Sequence, residues 1–393
     1  MADRAPARAA RLDWIDATRG FSILWVAWFH FFVTWANGRL PWPFNPAYFS
    51  LYTDSCSPQT TLDRMGCTAQ SLFVAFSQLG SQAVAVFVLL SGLGLTYALG
   101  TSARPASGWR VWYRQRLLRL FPMYWAAHLV WLVSPFVART DPVDWRFLAS
   151  LAGDRVWPPG LFYYANPAWW FFGLIVQLYL VYPLLAALLH RLGPALFLAA
   201  AAAFTVASRW LLLDVIEANG IFVQGAFFGS RLWEFAAGMS LALLLRRHRA
   251  RTLAWLLGLP GLLAGAALYT AGFLSYRPGP SFTCTDGLVG MGLFALLAHL
   301  ARALLVLPGL RRPLLFLGAY SYGFYLLHQP YVLWAGERLR DLSLGPFVLA
   351  GGLVLVFLAW GSGLLERVVN GLARRALGVP PREGGHPAQG AAR

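Results

Sequence analysis

Long apolar runs alternate along this chain with short polar stretches rich in arginine. A helix needs about 20 apolar residues to cross the hydrocarbon core of a bilayer, and the runs are close to that length. The pattern predicts ten spans, at 14–35, 79–99, 118–138, 168–190, 194–213, 229–246, 253–273, 286–305, 314–335 and 345–365. The expected fold is all-α, an integral membrane protein of about ten transmembrane helices. A membrane domain over 14–366 would be flanked by a short segment, 1–13, and a tail, 367–393. The tail ends in "LGVPPREGGHPAQGAAR" and is expected to be disordered, because a Pro/Gly-rich polar stretch buries too little to order itself.

Arginine positions give the predicted spans a direction. With the N-terminus inside, the inner segments carry 21 arginines and the outer segments 10, so the positive-inside rule puts both termini in the cytoplasm. Two outer segments are long, 36–68 and 139–167, and both mix Pro, Asp, Asn and aromatics. Such loops suit a sugar-like ligand, and equally an aromatic interfacial belt with no ligand. Cys56 and Cys67 share the first loop and could pair in an oxidising compartment.

Composition narrows the class. The chain is 58% hydrophobic and 12% charged, with 18 Trp among 393 residues, a bilayer-protein balance. Its formal net charge of +16 raises nucleic acid as a partner, but the basic residues lie between apolar runs and form no basic domain. Membrane phosphates explain them better, so membrane lipids are expected partners and nucleic acid is not. Every basic residue is arginine, which removes lysine-nucleophile and Schiff-base chemistry. The three cysteines form no CxxC or Cys/His cluster, and no metal is expected. A homo-oligomer is compatible with the sequence, which does not set a copy number.

Against that background the ionisable residues inside the spans stand out, since each costs roughly 2.5–3.5 kcal/mol at bilayer depth. The first span carries Asp16, Arg19 and His30. Arg19 and His30 are eleven residues apart, about three turns, so they share a face roughly 16 Å apart along the axis. Asp13, Asp16 and Arg19 can pair at i, i+3 spacing. In "FLGAYSYGFYLLHQP", Ser321, Tyr325 and His328 also share a face, and His328 reaches a depth close to that of His30. Histidine can take a proton from a hydroxyl near neutral pH. The bland alternatives are an ion pair at a helix mouth and histidines that make structural hydrogen bonds. In "VFVLLSGLGL", Ser91 and its glycines suit close helix packing or the approach of a ligand chain. Arg110, Arg114, Arg116 and Arg119 could hold lipid phosphates or those of a soluble cofactor. Arg231 and Glu234 have the spacing of a structural bridge.

In order along the chain, "RLDWIDATRGFSILWVAWFH", "FVLLSG", "RQRLLRLFPMYW", "WWFFGLIVQLYLVYPLL", "RLWEFAAGM" and "SYGFYLLHQP" resemble the motifs of the acyltransferase 3 family of membrane acyltransferases. The resemblance runs from about residue 12 to 366, and Arg19 and His30 meet the family's Arg-(ten residues)-His pattern. It implies O-acylation of a carbohydrate, glycolipid or similar acceptor, with acyl-CoA, most simply acetyl-CoA, as cytoplasmic co-substrate at a bacterial inner membrane. Carried over, His30 is general base or transient acyl carrier and Arg19 lies on the donor side. Arg116 and Arg119, with Ser91, would sit near the donor. Glu234 and His328 join the catalytic set, and Asp16, Tyr322 and Tyr325 line the substrate path. Many members carry a further hydrolase domain, and the 367–393 tail is too short for one, so the membrane domain is expected to complete transfer by itself or with a partner. The rival expectation is a proton-coupled transporter or flippase for a lipid-linked or glycosylated molecule, which would show matched broken helices in two halves.

Overall fold

The computed structural model describes residues 12–35, 60–137, 141–276 and 280–376. All regular elements among these residues are helical. The expected Cys56–Cys67 pairing lies outside them because Cys56 does, whereas Cys284 is a free thiol.

The chain opens with α1 (Asp13–Phe32), an internal helix that buries 12 of its 20 residues. After the undescribed stretch come α2 (Thr61–Leu79) and α3 (Ala83–Leu99), joined by one short 3-10 turn. Helix α2 starts inside what the sequence predicts as loop. The cause is a capping box at Thr60 and Asp63, each side chain satisfying the other's backbone N–H. Next follow α4 (Gly108–Val133), the short α5 (Trp145–Leu151) and α6 (Trp170–Trp210). Helix α6 covers both spans predicted at 168–190 and 194–213. Gly193 breaks it, with a φ of 76° that a side chain would disfavour, and Pro194 starts the next segment. A turn-rich segment then leads to α7 (Leu232–Arg247).

The span predicted at 253–273 is a bent pair, α8 (Arg249–Leu256) and α9 (Leu259–Leu274), at 57° to each other. Helix α10 (Thr285–Leu305) matches its predicted span. The span predicted at 314–335 is broken at Tyr320 into α11 (Arg311–Ala319) and α12 (Ser321–Leu339). Finally, α13 (Leu344–Ala376) runs about ten residues beyond its predicted end, so 367–376 is helix and not tail. At 1.5 Å per residue its 33 residues reach about 50 Å, longer than the hydrocarbon core. Its extension is held where Arg367 lies over the rings of Tyr320 and Phe316.

Among the described residues four helical stretches are long and apolar enough to cross a membrane, five if the bent α8–α9 pair counts as one. Helices α1 and α12 are not among them, because their polar residues lower their hydropathy. Exposed apolar surface is plainest on α13, where Leu349, Leu353, Val356, Phe357, Trp360, Leu364, Val368 and Leu372 form one stripe at helical spacing.

Glycines bring the inner helices together. A methyl group on Gly20 would overlap the backbone at Leu314, and one on Gly318 would overlap the Asp16 carbonyl, so α1 and α11 touch backbone to backbone. Gly92 and Gly238 do the same for α3 and α7, against Phe235 and Leu89. Helix α1 thus lies against α3, α10, α11, α12 and α13 and places its polar residues among them.

Candidate functional site

Helices α1, α3, α4, α6 and α12 enclose a cavity of about 750 Å³. That is within the 300–1,000 Å³ typical of sites for small organic ligands. Along α1 it extends from Asp16 to His30, about 21 Å at 1.5 Å per residue. One end is charged, lined by Asp16, Arg19, Arg116, Arg119 and Glu366. The middle is largely apolar, with Ile23, Val26, Phe87 and Leu90. The other end holds His30, His328 and Gln329 below Tyr163 and Gln224.

At the charged end Arg19 donates to Asp16 at 3.1 Å, the expected i, i+3 pair. Asp13 goes elsewhere, 2.6 Å from Arg311. Arg116 and Arg119 sit one helical turn apart on α4 and face the same cavity. The "SGLGL" stretch divides its work. Gly92 packs against α7, whereas Ser91 and Gly94 line the cavity, and a Cβ on Gly94 would meet nothing within 4 Å.

The histidine end is built by proline and a turn. Pro330 inside α12 lacks an N–H, which leaves the Leu326 carbonyl without its helical partner. Asn166 Nδ2 and Trp169 Nε1 donate to it at 3.1 and 2.8 Å. The 3-10 turn Pro167–Trp169 is thereby pinned to α12. Tyr325 adds to the clamp, its hydroxyl donating to the Ala168 carbonyl at 2.8 Å and accepting from the Phe172 N–H at 3.0 Å. The Ala168 N–H donates to Gln329 Oε1 at 2.5 Å, and Gln329 Nε2 lies 3.5 Å from His30 Nδ1. The imidazoles of His30 and His328 have centroids 5.3 Å apart. His328 is fully buried, its Nδ1 at 2.8 Å from the Tyr325 carbonyl, and its Nε2 has no hydrogen-bond partner.

Beyond the histidines, Tyr163 donates a hydrogen bond to Gln224 across the cavity. The loop that carries Tyr163 is anchored by Arg155, buried to 1% exposure. Its guanidinium reaches the Tyr124 and Ser150 hydroxyls and the Tyr164 carbonyl, and lies over the Trp169 ring.

Of the residues singled out in the sequence, the structure brings Asp16, Arg19, His30, Ser91, Arg116, Arg119, Tyr322, Tyr325 and His328 to one cavity. Glu234 lies elsewhere. It is buried against Gly290 on α10 and joins Arg231, Asp286 and Arg209 in an ion cluster, with Arg231 to Asp286 at 2.6 Å and Arg231 to Glu234 at 3.3 Å. Sequence reasoning missed Gln329, Glu366, Arg155, Tyr163 and Gln224. Glu366 had a signal, an acid at the edge of an apolar run. Tyr163 and Gln224, 61 residues apart, had none. Among the described residues no group of three His, Cys, Asp or Glu is placed to hold a metal ion.

The comparisons with known proteins bear on the same residues. The family described as an acyltransferase domain, acyltransferase 3, matches residues 12–365. Acyltransferase MdmB of Streptomyces mycarofaciens is 28% identical over 340 residues, covering 76% of this chain and 82% of that protein. No solved structure matches. The match takes in every helix of the cavity, and the chain belongs to the acyltransferase 3 family of membrane acyltransferases.

Proposed function

We propose that the protein is an integral membrane O-acyltransferase of a bacterial inner membrane, with about ten transmembrane helices and both termini in the cytoplasm. It takes an acyl group, most simply acetyl, from cytoplasmic acyl-CoA and delivers it to a hydroxyl of a carbohydrate, glycolipid or similar acceptor. The observation that carries the reading is the polarity of this cavity, with arginines at one end and a histidine pair toward the other.

The chemistry follows from the residues. A polyanionic donor stays at the cytoplasmic mouth, where Arg19, Arg116 and Arg119 offer planar, always-charged forks to its phosphates. The apolar middle admits the thioester arm and keeps water from it. The histidines lie about 16 Å along α1 from Arg19, where an acceptor hydroxyl from the far side can meet the thioester. Proton transfer by a positioned histidine is typically worth about 10²–10⁴-fold in rate. The name of the relative MdmB supports the transferase reading.

The test is release of free thiol from acyl-CoA by purified protein in nanodiscs, with and without candidate hydroxyl acceptors. Turnover that disappears in His328→Ala, with folding retained, is expected. A folded wild-type protein that neither binds CoA nor releases thiol overturns the reading and favours a transport role for the same polar path.

A further inference from the structure

Two histidines face one cavity, and their hydrogen-bond surroundings fix opposite tautomers. His328 Nδ1 lies 2.8 Å from the Tyr325 carbonyl and 3.2 Å from that of Phe324. A carbonyl only accepts, so Nδ1 carries the proton. The remaining nitrogen, Nε2, therefore presents a lone pair, and it is buried without a partner in a residue that lines the cavity. A proton there would be a buried donor with nothing to bond, a costly arrangement.

His30 is set the other way by Gln329. The Ala168 N–H only donates, so the Gln329 oxygen must face it. That turns the Gln329 NH2 toward His30 Nδ1, at 3.5 Å. An amide NH2 only donates, so His30 Nδ1 is the acceptor and the ring proton sits on Nε2. Gln329 owes its position to Ala168, and so to the turn that Pro330 lets dock on α12.

From these two hydrogen-bond patterns we infer that the reaction divides its proton work between the histidines: His328 Nε2 is the base that deprotonates the acceptor hydroxyl, and His30 Nε2–H is the donor that stabilises the thioester oxygen as it becomes an oxyanion. This rests on the acyltransferase reading, and it reverses the sequence expectation of His30 as base or acyl carrier. The acceptor oxygen forms a C–O bond to the thioester carbon as its proton passes to His328 Nε2. The carbonyl π electrons move to oxygen, toward the His30 N–H. Collapse of the tetrahedral intermediate breaks the C–S bond, and the proton on His328 goes to the departing thiolate. The products are ester and free thiol, with both imidazoles neutral again. Gln329 is a positioning residue, since it holds the His30 tautomer and takes no proton.

Glutamine places an amide N–H near the position of a histidine Nε2 and cannot act as a base, so paired substitutions separate the roles. His30→Gln is expected to stay within about tenfold of wild type, whereas His30→Leu, which removes the donor, loses about 10²–10³-fold. Both His328→Gln and His328→Leu are expected to lose about 10²–10⁴-fold. The reverse pattern, an active His328→Gln beside an inactive His30→Gln, overturns the assignment. Because a variant of the fully buried His328 can fail to fold, the second measurement uses wild-type protein. 15N NMR of histidine-labelled protein in nanodiscs, with the two residues assigned by single substitution, should report Nε2–H at His30 and Nδ1–H at His328. Nδ1–H at His30 refutes the proposal whatever the activity. Wild-type protein inactive toward every acyl-CoA would instead remove the functional reading, while leaving the tautomers to be read.

Discussion

Arg155 offers the sharpest test of how the end of the cavity beyond the histidines is held together. Its guanidinium is buried and bonds only neutral groups, the hydroxyls of Tyr124 and Ser150 and the carbonyls of Tyr164 and Leu161. In Arg155→Met the stem that packs on Gly173 is largely kept and the charged head is lost. Most acceptors retain a second partner: Asn166 N–H on the Tyr164 carbonyl, Tyr164 N–H on that of Leu161, and His128 on Ser150. The full penalty for an orphaned buried acceptor therefore does not apply. Two short bonds from a charged donor, to Ser150 and Tyr164, contribute about 1.5 kcal/mol each. Part of that is returned because no charge has to be desolvated, which leaves a net loss of about 2 kcal/mol. If the loss is confined to the loop, its local opening becomes about 30-fold more frequent, at 1.4 kcal/mol per decade. Amide hydrogen exchange of residues 158–169 in detergent or nanodiscs should accelerate by that factor while Thr285–Leu305 is unchanged. Exchange unaltered within about threefold, or faster throughout the protein, refutes the reasoning.

Three further outcomes follow from other parts of the structure. Arg116→Gln and Arg119→Gln each remove a charged donor from the end assigned to phosphates, so KM for acyl-CoA should rise about 10–100-fold with kcat nearly unchanged, measured by thiol release. Gly238→Ala drives a methyl into the Leu89 carbonyl and should cost about 1–3 kcal/mol in denaturant or thermal unfolding, whereas Gly94→Ala, whose Cβ meets open cavity, should be neutral for stability. Asp286→Ala leaves buried Arg209 and Arg231 without their shared carboxylate, at 2.5 and 2.6 Å, and should cost about 3 kcal/mol; the Asp286→Ala, Arg209→Ala double variant should lose less than the sum of the singles.

Much of the cavity was legible because polar residues are conspicuous in apolar runs. The 3.6-residue period alone places Arg19, His30, Tyr325 and His328 on helix faces, and it gives His30 and His328 similar depths. What could not be read is how the chain interrupts its own helices. The break at Tyr320 separates α11, whose Gly318 meets α1, from α12, which carries His328, and apolar content alone does not mark it. Glu234 misled because an acid in a span looks the same whether it faces a ligand or a buried arginine; its partner Arg231 is shared with Asp286, which lies 52 residues beyond Glu234 in sequence. The role of Gln329 was hidden by a different kind of distance. It stands beside His328 in "LLHQP", but its orientation is set by the Ala168 N–H, 161 residues off.

In the proposed function, one cavity carries a thioester from the arginine-lined end to the histidine pair. The most direct measurement is photo-crosslinking with an acyl-CoA whose acyl end bears a diazirine, followed by peptide mapping and competition with unlabelled CoA. The account predicts competable labels at or beside 26–30 on α1 and 325–329 on α12, weakened in the Arg116→Gln, Arg119→Gln variant. Competable labelling confined to the charged end, or no competable labelling of folded protein, contradicts it.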